Sequence, residues 1–254
     1  MPDRVNVMAL TATANNSTMR FVMQSLSMQA PHIAYISPSK DNIFYDVVNK
    51  PKDNSFHYFS DIISDLRTNN TLDRIIIFCR TRVEVAHLYK YFKEGLGPCF
   101  TVPRGAPDLA KYRVIDMYTH STHDSVKQAI LEQFTSASQL RIVIATIAFG
   151  MGINCPDVRH IIHWTAPGDI ETYVQETGRA GRDGLPSKAT IVVATIDLDS
   201  RFMNEEAIQY CKNTTACCRT LIFSNFKGCS RVLRSGCKCC FVCRKKCTCG
   251  ECTS

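Results

Sequence analysis

The 254 residues contain no GKS or GKT tripeptide and no DExH tetrapeptide. Neither a lysine-bearing loop for nucleotide phosphates nor an acidic box for their Mg²⁺ can therefore be read from this chain. Long apolar runs are missing too. The richest stretches, residues 75–79 and 142–145, fall far short of the roughly 20 residues that cross a bilayer. Residues 1–20 carry Asp3, Arg4 and scattered polar side chains where a signal peptide would have its apolar core. There is no low-complexity tract and no internal repeat. The expectation is an intracellular protein with no membrane partner. At 45% hydrophobic composition the chain can bury a real core.

Cysteine is scarce through most of the chain. Only Cys79, Cys99 and Cys155 precede residue 198, and the other 11 of the 14 fall in the last 57 positions. In a reducing compartment such clustering points to metal more often than to disulfides. Charge is distributed in the same way. Residues 198–254 hold ten Lys or Arg against four Asp or Glu, whereas the first 197 residues are nearly balanced at 20 against 19. Both breaks predict a second module beginning near residue 198.

Before that boundary, short β-branched runs alternate with helical patterns, which predicts parallel strands joined by crossover helices. Strands are expected at 74–79, 114–118, 140–146, 159–164 and 188–194. Helices are expected at 83–92, where Val85, Leu88, Tyr89 and Phe92 recur at helical spacing, and at 124–134 through Val126, Ile130, Leu131 and Phe134. Residues 95–113, with three prolines and three glycines, read as a surface loop.

Residues 175–184 read QETGRAGRDG and follow a helix expected to start at Asp169. Arg179 and Arg182 each come directly after a glycine, so two planar, permanently charged forks stand on a backbone of little bulk. That chemistry suits phosphate oxygens, though two surface arginines on a solvated turn would have the same local sequence. Residues 145–154 read ATIAFGMGIN directly after a buried strand. Thr146 is expected at the strand's carboxyl end, where open parallel sheets place ligands, and Gly150 and Gly152 would let a backbone come close.

Taken together, ATIAFGMGINCPDVRHIIHW and PGDIETYVQETGRAGRDG resemble motifs V and VI of the RecQ family of superfamily 2 DNA helicases. ALTATAN at 9–15 resembles that family's motif III, and IIIFCRTR at 75–82 its motif IV. The resemblance covers almost the whole chain and implies the fold class: an α/β, RecA-like second helicase lobe with a mostly parallel sheet flanked by helices, followed by a small cysteine-rich helical zinc module. It implies divisions at 1–36 (a remnant of lobe 1 and a connector), 37–197 (the RecA-like lobe) and 198–254 (the zinc-binding domain). The implied activity is ATP-dependent 3′ to 5′ unwinding of single-stranded or forked DNA in repair, recombination or replication, in the nucleus.

The resemblance also implies roles. Arg182 would be the arginine finger toward the γ-phosphate of ATP, with Arg179 and Gln175 supporting it. Thr146, Gly150, Gly152 and Asn154 would line the path of the single strand, and Thr11 and Thr13 would couple the lobes. Cys218, beside Arg219, would complete a structural zinc site with Cys237, Cys240 and Cys243, whose four thiolates leave no open position. The additional thiols Cys217, Cys239, Cys247, Cys249 and Cys252 leave the ligand register open, and the last three could belong to a second site. Two further departures are the length of 95–113 and the sequence THST at 119–122 where the family has a histidine-glycine motif.

ATP and Mg²⁺ are expected only if a lobe 1 in a longer parent chain supplies the missing loop and box, so these residues alone are expected to be inactive. Two other readings stay open at this point: a non-catalytic nucleic-acid-binding module, and a tail used only for assembly.

Overall fold

Among the described residues, six strands form one sheet: β1 (Ile43–Asn49), β2 (Arg74–Phe78), β3 (Ile115–Tyr118), β4 (Ile142–Ala145), β5 (Val158–His163) and β6 (Ser187–Val193). Every pairing is parallel and the order is β1-β6-β5-β2-β4-β3. These elements come from a computed structural model that describes residues 6–11, 13–52, 55–68, 72–146, 149, 155–227 and 236–249. The helices among them are α1 (Asn16–Ser25), α2 (Ser60–Thr68), α3 (Arg82–Leu96), α4 (Asp124–Thr135), α5 (Ile170–Thr177), α6 (Glu205–Lys212), α7 (Cys218–Phe223) and α8 (Phe241–Lys245).

The central strands are buried on both faces, and the period of two sorts their side chains between two cores. Ile75 and Ile77 of β2 join Ile142 and Ile144 of β4 beneath α2 and α3, where Leu88, Phe92 and Leu96 complete the layer. Ile76, Phe78, Val143 and Ala145 face the other way, toward α4 and α5. Local signals set the helix ends. Thr81 and Glu84 form a reciprocal capping box at the start of α3, with the Glu84 amide 3.2 Å from Thr81 Oγ1 and the Thr81 amide 2.8 Å from Glu84 Oε2.

One strand was not expected from the sequence, and one expectation is corrected. β1 carries no clean pattern in sequence, because Asp46 and Asn49 interrupt it. It forms as an edge strand held by seven register pairs to β6 and by the Asp46–Lys188 ion pair at 2.8 Å. The stretch 95–113 is not simply a surface loop: it contains the end of α3 and short 3-10 turns at Gly97–Phe100 and Ala110–Tyr112. Burial of Phe100 and Thr101 draws it inward, while Arg113 bridges Asp108 and Asp116.

Among the described residues, the packing runs across the compositional break near residue 198. Tyr210, Cys218, Phe223, Phe226, Cys240 and Val242 lie in the same core as Ile43, Tyr45 and Tyr173. The Tyr45 amide donates to the Cys239 carbonyl at 3.1 Å, so the tail is bonded to the edge of the sheet.

Candidate functional site

The arginine-bearing turn is built from α5 outward. Asp169 caps the helix by accepting from the Thr172 amide at 2.7 Å, which satisfies one of the donors a helix start leaves unpaired. Past Thr177 the chain reverses through Gly181 at φ +54°, a left-handed conformation in which a Cβ would collide with the Asn42 side chain and come within 2.7 Å of Ser187 Oγ. Asn42 Nδ2 donates to the carbonyls of Gly181 and Leu185, both at 2.8 Å. Lys40 Nζ donates to the Gly178 and Ala180 carbonyls at 2.7 and 3.1 Å, supplying a cation where the helix dipole is negative. Asp183 is tied to β5 by its ion pair with Arg159.

On this frame Arg182 and Gln175 are exposed, whereas Arg179 is buried, with 7% of its surface accessible. Lys40 is held below its ordinary pKa first by burial and then by the charge of Arg182, with Asp183 opposing. Arg179 is likewise lowered by burial and by Arg182, with Glu176 opposing. Cations that disfavour one another in one turn make a place where an anion gains most.

A second convergence lies at the other end of the strands. Gly181 donates to the Val158 carbonyl at 2.9 Å, at the start of β5, whereas Thr146 follows β4 at its carboxyl end, its amide 3.3 Å from the Tyr118 carbonyl. At about 3.3 Å per residue the two regions are separated by roughly 20 Å of strand. Arg82 Nη1 donates to Ser121 Oγ at 2.6 Å and so joins the loops after β2 and β3. Arg80 donates to the Ala166 carbonyl at 3.2 Å and lies over the Phe202 ring, at the rim of a cleft of about 210 Å³ between the ends of β2 and β5.

The segment bearing Thr11 and Thr13 docks on the arginine helix. Thr11 is exposed, with Oγ1 2.6 Å from the Thr13 carbonyl, and Thr13 is partly buried. Just beyond, Asn15 caps α1 through the Thr18 amide at 2.8 Å, and Thr18 Oγ1 donates to Glu171 of α5 at 2.8 Å.

The tail gathers its sulfurs in two groups. Cys217, Cys239, Cys240 and Cys243 lie within 4.8 Å of one another, and so do Cys237, Cys247 and Cys249. In the first group the Cys240 sulfur is the focus. The Cys218 and Cys239 thiols donate to it and pull its pKa far down, and the amides of Cys218 and Cys243 lie 3.4 Å away. Cys239 and Cys218 are pushed up by that same contact, while burial raises Cys243 to about 12. Three thiols beside one anionic sulfur are a donor set that fits a tetrahedral, thiophilic cation.

The helicase conserved C-terminal domain model matches residues 55–184, more than half of the chain. The RecQ-like DNA helicase BLM of Xenopus laevis is 30% identical over 243 residues, covering 87% of this chain and 16% of that protein. The ATP-dependent DNA helicase RecQ of Pasteurella multocida is 31% identical over 191 residues, 75% of this chain and 27% of that one. The chain belongs to the RecQ helicase family. It spans about a sixth of the first of these RecQ relatives and about a quarter of the second. Among solved structures, S. cerevisiae Dbp5 bound to RNA and ADP BeF3 matches with a TM-score of 0.58 at 16% identity, covering 79% of this chain and 47% of that one. At that identity the likeness concerns the RecA-like fold alone.

The RecQ-derived site residues do not all gather as their spacing in sequence implies. Gly150, Gly152 and Asn154 lie outside the described residues. Arg179 and Arg182, three apart in sequence, divide into a buried and an exposed member. For the metal, Cys240 and Cys243 do come together, but with Cys217 and Cys239; Cys237 lies instead with Cys247 and Cys249, and Cys218 touches Cys240 yet stands outside the group of four. The physical reason is the CC pair at 239–240, which turns inward against β1 through the Tyr45–Cys239 bond and leaves Cys237 on the outer side. Lys40 and Asn42 carry no motif, so their part in the site was not legible, and Arg219 was legible only as the neighbour of Cys218. Arg219 is 3% exposed and donates to the carbonyls of Lys40 and, at 2.7 Å, Ile43.

Proposed function

We propose that these residues act as the second motor lobe of an ATP-dependent 3′ to 5′ DNA helicase. The observation that carries this reading is the exposed Arg182 on a turn whose every flank is pinned. A planar guanidinium held there can stabilise charge developing on transferring phosphoryl oxygens, an effect worth roughly 10³ to 10⁵ in rate where it has been measured. Buried Arg179 acts as a positioning residue for it. Thr146 and the loops after β2 and β3 form the side turned toward a single strand, while Thr11 and Thr13 link the arginine helix to a first lobe. The residues present offer only the arginine side of a nucleotide site, because the chain holds neither a GKS or GKT loop nor a DExH box. Bound Mg²⁺ and nucleotide would supply the reacting phosphoryl group. Cys217, Cys239, Cys240 and Cys243 would hold a structural zinc that fastens the tail to β1.

The purified chain is expected to show no DNA-stimulated ATP hydrolysis alone and to gain it when fused to a lobe carrying the missing loop and box. Arg182→Ala should then lower the rate at least 10³-fold. Hydrolysis by the chain alone, or an unchanged rate in the variant, would overturn the reading.

The basic balance of residues 198–254 favours one alternative, a non-catalytic module that binds nucleic acid. Its mark would be single-strand binding by the chain alone, falling with log salt at about −0.7 per phosphate contacted. Loss of that binding on deleting 198–254 would locate it in the tail.

A further inference from the structure

The turn after β3 is closed by its own ends. The Thr122 amide donates to the Thr119 carbonyl at 3.2 Å, and the Thr119 amide donates to Thr122 Oγ1 at 2.9 Å. His120 and Ser121 stand at the tip, both exposed. The neighbouring hydroxyls hold local structure: Thr122 closes the turn, and Ser125 Oγ lies 2.8 Å from His123 Nδ1 at the start of α4. Ser121 Oγ instead accepts from Arg82 Nη1, on the first residue of α3, at 2.6 Å.

Arg82 is exposed, and among the described residues it makes no ion pair with a carboxylate. A second cation reaches the same turn, because Lys127 Nζ donates to the His120 carbonyl at 3.1 Å. The amino end of α4, a helix of 12 residues beginning at Asp124, adds a dipole that favours negative charge. The opposing charge is Asp124 itself, whose side chain is 95% exposed and paired with Lys127 at 3.1 Å, so that solvent screens it. A neutral hydroxyl thus stands where a guanidinium, an ammonium and a helix end all favour an anion. A phosphate there would bring about −1.5 to −2 charges at pH 7 and three acceptor oxygens, which suit the fork of Arg82.

We infer that Ser121 is a phosphorylation site, and that its phosphate, held by Arg82 and Lys127, closes this side of the sheet to nucleic acid. Ser121 Oγ attacks the γ-phosphorus of ATP in a protein kinase, the bond to the β-phosphate oxygen breaks, ADP leaves, and the hydroxyl proton passes to the kinase's carboxylate. Asp124, exposed and three residues on, gives a kinase with a basic substrate cleft its anchor. The added charge occupies Arg82 and repels the phosphates of a strand crossing the loops after β2 and β3. This effect on the strand rests on the strand-binding reading above, whereas the phosphate site does not.

The full chain, treated with an acid-directed serine/threonine kinase and ATP, should gain phosphate at Ser121 by peptide mass spectrometry. The full chain made with phosphoserine encoded at position 121 then gives two further readouts. In a ³¹P titration the second ionisation of the phosphate should fall below its ordinary value of about 6, and Arg82→Ala should return it there. Binding of an oligothymidylate at low salt should weaken about tenfold or more relative to the unmodified chain, with the slope against log salt falling by about 0.7 for each strand phosphate displaced. Phosphate on other residues but not on Ser121 overturns the site. A second ionisation that Arg82→Ala leaves unmoved overturns the hold of Arg82 on the phosphate. Equal oligothymidylate binding with and without the phosphate overturns the closure. No binding by the unmodified chain sinks the strand-binding reading and the closure with it, while the ³¹P titration still decides the phosphate site.

Discussion

Glu176 Oε2 lies 2.7 Å from His163 Nε2, both side chains almost wholly buried, and the pair ties α5 to β5 one turn ahead of Arg179. Glu176 also offsets part of the burial cost of the Arg179 guanidinium. Glu176→Leu should therefore harm the fold twice, leaving a buried imidazole and a buried cation without their carboxylate. A loss of about 3 kcal/mol is expected in urea unfolding, and Glu176→Gln, which keeps one hydrogen bond, should lose less. Equal losses in the two variants would mean that the hydrogen bond has no part in it and the charge carries the whole effect.

Gly181 and Gly184 both sit at positive φ, +54° and +83°, but only Gly181 is crowded. Gly181→Ala has to displace Asn42 and Ser187 as well as accept a strained backbone, whereas Gly184→Ala meets only the strain. The expected costs are about 3 and about 1 kcal/mol respectively. Thermal unfolding of the two variants tests the order.

Arg219 fills a gap between the tail and the connector before β1. Its guanidinium donates to the Lys40 and Ile43 carbonyls, lies 5.3 Å from the Tyr45 ring centre and approaches Cys239 Sγ at 3.5 Å. Arg219→Met should orphan those carbonyls and cost about 3 kcal/mol, and Arg219→Lys should rescue little, because a point charge cannot span the fork. Amide exchange should quicken in β1 before it does in β2 or β4. Uniform acceleration across the sheet would contradict this local role.

His160 of β5 is held neutral: burial, helped by the Lys188 charge, lowers its pKa to about 3. The unfolded chain, with a histidine near 6.5, binds the proton more readily between those values. The stability gained from keeping it neutral is thus fully present above pH 6.5 and is lost as pH falls toward 3. The side chain is only partly covered, so a loss of about 1 to 2 kcal/mol is expected between pH 7 and 5. His160→Gln should flatten that dependence while keeping a partner for Thr190 Oγ1, now 2.8 Å from the ring. Parallel pH profiles for the two proteins would place the dependence elsewhere.

The interior strands were readable because burial on both faces selects unbroken β-branched runs, as at Ile75, Ile76 and Ile77, and because α5 announces itself through Asp169 and Thr172. β1 was not, since an edge strand is held by its partner β6 and tolerates Asp46 and Asn49. Residues 95–113 misled because proline and glycine mark local turns without saying that Phe100 is buried. For the thiols, the spacing 237, 240, 243 is regular, yet the CC pair at 239–240 supplies a second register, and spacing alone cannot choose between them.

What the sequence determined by itself is whatever neighbours in the chain can enforce: the alternation of strands and helices, the capped start of α5, and two arginines set on glycines. These follow from side-chain period, hydrogen bonds over three or four residues and backbone freedom, all local properties. What only the tertiary structure decided depends on groups more than 130 residues apart in the chain: Lys40 on the Gly178 carbonyl and Arg219 on the Ile43 carbonyl. Those contacts expose Arg182, bury Arg179 and bring the tail against β1, because a buried carbonyl must find a donor wherever the fold brings one.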